Sequence, residues 1–322
     1  MKEQQLGPSR ALLTCAPHVP FLALQDRHLN AGFWQAYEAR IAAFNEFDPE
    51  LVIVFGADHY DGQHLRSMPT FLLGHAAAAV DDRGGHPGAL HVPKDMASAC
   101  AEYLVNHDFD ITNSYAMEVD HGFSGILHAF MGRLDARPVI PIFINALCHP
   151  RPTFKRCREF GEAVGGFAAT LGKRVAFLAS GGLSHDTGPM FPQVDSAPNE
   201  TVREYIIHGG ARGGLSREQW LGEISAGLDI VNEQLLRRVP GVGSVDKAWD
   251  AEFITTFASG NLRAFDDWAD ADVFRRAGNG AGEVRQWIAA ASAAQAVGAR
   301  EIVVDYYEAN ALIGVAAVLA HA

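Results

Sequence analysis

The sequence has no CxxC pair: its four cysteines, Cys15, Cys100, Cys148 and Cys157, stand far apart among 322 residues. That spacing speaks against a zinc ribbon or a dense disulfide framework and for reduced thiols. No apolar run reaches the roughly 18 residues a membrane helix needs. The opening "MKEQQLGPSR" lacks the apolar centre of a secretory signal. A cytoplasmic protein without a membrane partner is the expectation. Basic residues are in deficit, 26 Lys and Arg against 38 Asp and Glu, for a formal charge of −12. Such a surface repels phosphate backbones, and no basic patch interleaves with aromatics, so nucleic acid is not an expected partner. Neither GxGxxG nor GxxxxGK[ST] occurs, which leaves nucleotide binding without support. No fixed short repeat is found.

What the chain does have is a large apolar share, 48% of its residues, enough for a substantial core. Four short apolar runs read as strands buried on both faces: "ALLTCA" (11–16), "LVIVFGA" (51–57), "VIPIFINAL" (139–147) and "RVAFLASGG" (174–182). Helical spacing of apolar residues marks 28–47, 94–107 and 154–172. Alternation of the two predicts an α/β protein, a central mostly buried sheet flanked by helices. Beyond about residue 186 the pattern changes. Residues 186–214, rich in Gly, Pro and Asp, read as a long loop, and 215–239, 249–260 and 283–298 as helices. The C-terminal third is therefore expected to be helix-rich, and 1–322 to form a single catalytic domain.

Histidines sit where these strands end. His18 follows the first strand in "TCAPHVP", His59 the second in "VFGADHY", and His185 the fourth in "ASGGLSHD". His121 follows a shorter extended run in "MEVDHGF". In open α/β sheets ligands bind beyond the carboxyl ends of the strands. One histidine near an apolar run is usually a hydrogen-bonded structural residue, but four at one topological location point to a shared site. Two neutral imidazoles and a carboxylate hold Fe(II) on one face and leave the other open. Zinc with three protein ligands and a water is also compatible. Histidines beyond the metal's reach can carry protons. Asp58 and Asp120 precede two of the histidines and are either supports for an imidazole N–H or turn-forming acids. Tyr60 and Phe123 either line an aromatic pocket or pack the core. The glycines of "SGG" permit close backbone approach or merely a turn.

The motifs "PHVP", "ADHY", "VDHGF" and "SGGLSH", in this order and spacing, resemble the class III extradiol ring-cleavage dioxygenases, which share the fold of the protocatechuate 4,5-dioxygenase catalytic subunit. "FSGILHAFMGRLDARPVIPIFINA" and "LGKRVAFLASGGLSH" extend the resemblance toward the 2,3-dihydroxyphenylpropionate 1,2-dioxygenase subgroup. It covers roughly residues 10–310.

The resemblance implies that His18 and His59 bind Fe(II) and that His121 and His185 are acid–base residues. It implies that His185 takes a proton from a catechol hydroxyl and that His121 donates one as the ring opens with O₂. The family's third ligand is a glutamate in a "KEFD"-like stretch. Here "DKAWDAEF" (246–253) puts Ala248 at that place. Asp250 is the expected carboxylate ligand, with Glu252 and Asp246 as alternatives; its other reading is an acid favoured at a helix N-terminus. His149, Arg151 and Arg212 are candidate contacts for a substrate carboxylate. The resemblance suggests a homo-oligomer, and "IAAASAAQAVG" could serve core or interface equally. Gallate, protocatechuate and lignin-derived biaryl catechols are alternative substrates. A zinc hydrolase and a non-catalytic metal-binding protein on the same scaffold are the alternatives from other classes.

Overall fold

The computed structural model describes residues 9–18, 31–82, 85–186, 191–212, 214–236, 245–310 and 315–321. Its elements run β1 (Arg10–Ala16), α1 (Ala31–Phe47), β2 (Leu51–Gly56), β3 (Phe71–Gly74), β4 (Ala77–Ala79), β5 (Gly88–Ala89), α2 (Lys94–Val105), β6 (Thr112–Ser114), β7 (Met117–Val119), α3 (His121–Met131), β8 (Val139–Ile144), α4 (Phe154–Ala169) and β9 (Arg174–Ser180). They continue through α5 (Glu200–His208), α6 (Arg217–Leu236), α7 (Lys247–Ala258), α8 (Asp270–Ala277), α9 (Val284–Val297), β10 (Val303–Asn310) and β11 (Val315–His321).

The main sheet has eight strands in the order β10-β11-β1-β9-β2-β8-β3-β6. The four apolar runs of the sequence are its centre: β1, β9, β2 and β8 are mutually parallel neighbours. Antiparallel strands flank them, β11 beside β1 and β3 beside β8. Alternate residues of each central strand serve opposite faces. Leu51, Ile53 and Phe55 enter one apolar layer with residues of α2, α4, α7 and α9. Val52 and Val54 enter the other, with Phe33, Tyr37 and Phe44 of α1 and Phe123, Ile126 and Phe130 of α3. Burial on both sides is why these strands read as continuous apolar runs. A second sheet, β5-β4-β7, carries the chain into α3.

Three departures from the sequence reading have local causes. The strand expected to reach 147 stops at Ile144, because the Asn145 side chain takes over the backbone bonding. Its Nδ2 donates to the Cys148 carbonyl at 2.8 Å, and its Oδ1 accepts from the Cys148 N–H at 3.0 Å. The loop expected over 186–214 contains α5, capped by Asn199, whose side chain accepts from the Val202 N–H. The C-terminal third ends in the β10–β11 hairpin, which joins the sheet through β1. Residues 28–30 and 237–239 of two expected helices lie outside the described residues. The four cysteines are free and buried. Among the described residues no helix is long and apolar enough to cross a membrane.

Most of the segment "IAAASAAQAVG", through Ala294, belongs to the core. Residues Val284–Ala294 of α9 are buried throughout, against the sheet and α4. The two helices meet backbone to backbone. A Cβ on Gly161 would lie 2.1 Å from the Ala289 carbonyl oxygen, and one on Gly165 2.3 Å from that of Ala293. Backbone cannot yield as a flexible side chain can, so Gly161→Ala is expected to destabilise the fold by about 1–3 kcal/mol, the usual cost of overpacking. A urea titration measures this as a lower midpoint at unchanged slope.

Candidate active site

The crossing of α9 beneath the sheet decides the geometry of the site. Its first turn starts at the carboxyl ends of the central strands, and Glu283 occupies the N-cap position. A helix N-terminus favours a carboxylate. Just before it, Gly280, Ala281 and Gly282 form a buried 3₁₀ turn. Across from Glu283 stands Gly181, past the end of β9, at φ +132°. A Cβ there would come within 2.6 Å of the Glu283 Cβ. The "SGG" glycines therefore permit close backbone approach, and the Gly182 N–H donates to Glu283 Oε2 at 2.9 Å.

Three of the four histidines surround this carboxylate. Glu283 Oε1 lies 3.6 Å from His18 Nε2 and 3.4 Å from His59 Nε2. Oε2 lies 3.9 Å from His185 Nε2. The fourth, His121, stacks on His59 with ring centroids 4.3 Å apart and stands edge-on to His18 at 5.2 Å. His18, His59, His185 and Glu283 are all buried. The structure thus brings together all four histidines singled out in the sequence.

Each ring is oriented by its other nitrogen. Asp120 Oδ2 accepts from both the backbone N–H and Nδ1–H of His59, at 2.7 and 2.8 Å. A carboxylate or carbonyl can only accept, so Nδ1 carries the proton and Nε2 is the nitrogen turned to Glu283. His185 donates Nδ1–H to its neighbour, the Leu183 carbonyl, at 2.9 Å. His18 Nδ1 pairs with Ser180 Oγ at 3.1 Å. His121 meets Asp82, with Nδ1 2.5 Å from Oδ2.

Charge in this enclosure is set by burial and neighbours. Burial lowers the pKa of His18 to about 3, against the pull of Glu283, so its ring stays neutral. Burial acts in the same sense on His59, but the carboxylates of Asp120 and Glu283 outweigh it and raise its pKa. Burial also opposes ionisation of Glu283, yet the imidazoles of His18, His59 and His185 hold its carboxyl below the usual range. An ionised acid between imidazole nitrogens is a donor set for a divalent metal.

The spacing fits one. Donors about 2.0–2.2 Å from a shared ion are separated by roughly 3.0–3.6 Å. The 3.4 and 3.6 Å separations of Glu283 from His59 and His18 fall in that range and exceed good hydrogen bonds. His18, His59 and His121 also each offer a nitrogen within 4.8 Å of the others.

Asp250 is not in this cluster. It is buried on α7, and its oxygens accept from the Ser184 N–H and the Tyr307 hydroxyl, each at 2.9 Å. The expectation that it meets His18 and His59 does not match this geometry. It braces the loop of His185 instead. Of the alternatives, Asp246 caps α7 by accepting from the N–H groups of Ala248 and Trp249. Glu252 is exposed and pairs with Arg276 at 2.9 Å.

Asp58 is the turn-forming acid, bound to the N–H groups of Gly62 and Gln63. Tyr60 and Phe123 pack in the cores. The aromatic wall comes from Phe191, whose ring centroid is 5.0 Å from that of His59. It lines a cleft with Leu147, His59, His185 and Glu283. Arg151 is committed to Asp270 through two hydrogen bonds and to the Leu147 carbonyl. His149 is exposed. The side chain of Arg212 lies outside the described residues.

Residues 12–320 match the family model of the catalytic LigB subunit of aromatic ring-opening dioxygenase. The chain belongs to the LigB family of ring-opening dioxygenases. Its curated relatives include a 2,3-dihydroxyphenylpropionate/2,3-dihydroxicinnamic acid 1,2-dioxygenase of Mycolicibacterium gilvum (strain PYR-GCK), 39% identical over 295 residues and covering 91% of each chain. Another, from Pseudomonas putida, carries the same name as form 2; it is 36% identical over 302 residues, covering 92% of this chain and 93% of its own. An uncharacterized Escherichia coli K12 protein, JW3007, shares the fold at a TM-score of 0.50 and 13% identity, over 97% of this chain and 99% of its own. Membership of this family implies a metal cofactor, and the donor set described above accommodates one.

Glu283 was not singled out in the sequence. Its only signal is "GAGE" before a helix, small residues that let an acid approach another backbone closely. Metal retention separates it from Asp250. Glu283→Ala is expected to lose most bound metal on dialysis, and Asp250→Asn to keep it, as read by elemental analysis. Retention in Glu283→Ala with loss in Asp250→Asn would return the ligand role to Asp250.

Proposed function

We propose that this LigB-family enzyme cleaves a 3-substituted catechol of the 2,3-dihydroxyphenylpropionate type at an extradiol bond, using Fe(II) held by His18, His59 and Glu283. The observation that carries the reading is the Glu283 carboxylate 3.4–3.6 Å from two imidazole nitrogens, with His185 at 3.9 Å and His121 stacked on His59. The names of the relatives supply the substrate class. Two imidazoles and a carboxylate on one face leave positions open for a substrate and O₂. Bound Fe(II) supplies the one-electron chemistry that lets a catechol react with O₂.

The remaining work falls to the chain. Phe191 and Leu147 form apolar walls that exclude water and seat a planar ring. His185, with Nδ1 committed to Leu183, presents Nε2 to take the proton of a ring hydroxyl. His121, stacked on His59, donates a proton as the ring opens. Both oxygen atoms enter the product, a hydroxymuconic semialdehyde-type acid. The same reading expects one catalytic domain over 1–322, acting as a cytoplasmic homo-oligomer.

Anaerobic loading with Fe(II), followed by oxygen uptake on a panel of substituted catechols, tests this directly. A yellow product with stoichiometric uptake is expected, fastest with 3-substituted rings. Zinc retention without uptake would favour a hydrolase. His121→Ala and His185→Ala are each expected to keep their metal and lower kcat by about 10²–10⁴-fold, the usual loss for a positioned acid or base. His59→Ala is expected to lose the metal itself.

A further inference from the structure

We propose that Asp82 is a positioning residue that acts through His121, fixing its ring so that proton exchange with substrate runs only through Nε2. This rests on the proton-donating role given to His121 above. Asp82 sits before β5, 39 positions from His121, and nothing in the sequence pattern pairs the two. In the fold the Asp82 side chain is 1% exposed. Both hydrogen bonds its carboxylate makes among the described residues come from His121. The backbone N–H donates to Oδ2 at 2.9 Å, and Nδ1 lies 2.5 Å from the same oxygen. Among the described residues, Oδ1 is buried with no hydrogen-bond partner.

The arrangement repeats that of His59. There Asp120 Oδ2 takes the backbone N–H and Nδ1–H of one histidine, which turns Nε2 toward Glu283. Asp82 does the same for the ring stacked upon it, 4.3 Å away and 18° from parallel. His121 is the first residue of α3, whose first N–H groups have no partner within the helix. Asp82 satisfies one, and Asp120 satisfies the next through Gly122. The carboxylate is thereby anchored to the backbone of the residue whose ring it orients. A ring held at its backbone and at Nδ1, with His59 against its face, has little rotational freedom left. Without the acceptor, the ring could turn or exchange its tautomer, and Nε2 would no longer be reliably aimed at the cleft.

The decisive measurement is a double-mutant cycle on the Fe(II)-loaded enzyme. Asp82→Ala is expected to lower kcat about 10- to 10³-fold, with KM and metal content little changed and Asp82→Asn, which keeps an acceptor oxygen, falling between it and wild type. In the His121→Ala background, Asp82→Ala is expected to cost nothing more, because residues acting as a unit are not additive. An equal loss in both backgrounds, or loss of metal along with activity, would show a merely structural residue and overturn the proposal. ¹⁵N-histidine NMR of the full chain loaded with diamagnetic Zn(II) gives a second readout that needs no Asp82 variant to fold. The His121 signal, identified by its loss in His121→Ala, is expected to carry its proton on Nδ1; a bare Nδ1 would overturn the proposal. If instead His121→Ala retains wild-type kcat, the acid role of His121 fails, and the NMR result still judges the Asp82 contact on its own.

Discussion

A carboxylate buried among imidazoles is the constraint on which this molecule depends. Glu283 lies at the N-terminus of α9, beneath the carboxyl ends of β1, β9 and β2, within 3.9 Å of nitrogens on three histidines. Burying an ion costs several kcal/mol unless it is paired and hydrogen-bonded. Here the opposing groups come from three separate loops, so the same interaction that offsets the burial draws those loops to one point. Small residues make the approach feasible. Gly181 admits the Glu283 side chain, and Gly280 leaves room for His185, whose Nε2 would be 1.9 Å from a Cβ at that position.

Around this centre, acids and carbonyls that touch no reacting atom settle the orientation of the rings. Asp120 and Asp82 each grip one histidine by its backbone and by Nδ1. The Leu183 carbonyl holds His185 by Nδ1 alone. Asp250 braces the adjoining Ser184 N–H, tied in turn to Tyr307 of the C-terminal hairpin. The strand that closes the sheet edge is therefore coupled to a loop of the site. A similar bracing holds Glu283 from behind. Arg285, buried two residues on, donates to the carbonyls of Pro152 and Gly282 and to the Asp270 carboxylate.

The central strands were legible because burial on both faces leaves an uninterrupted apolar run, and the histidines because three follow such a run and His121 a shorter extended one. Most of the flanking strands were not. β3 to β5 are two to four residues long, too short for a periodicity to register, and β6 and β7 showed only as one short extended run before His121. β10, "VVDYYEAN", mixes polar and apolar residues, and its pairing partners are supplied by the tertiary fold. Asp250 stood out because the resembled subgroup keeps its Trp-Asp pair where the family's glutamate is missing. Its burial is real, but its oxygens face the Ser184 backbone, a direction no spacing encodes.

The sequence alone determined the α/β class, the sites at which the chain leaves its central strands, and the imidazoles placed there, because these follow from local apolar patterning and from residues adjacent to it. The tertiary structure decided which acid meets which histidine. Glu283 is 98 residues from the nearest of them, His185, and Asp82 is 39 from His121. Such pairings depend on how α9 and the Asp82 loop pack against the sheet, and packing is a sum over the whole core that no short stretch of the chain contains.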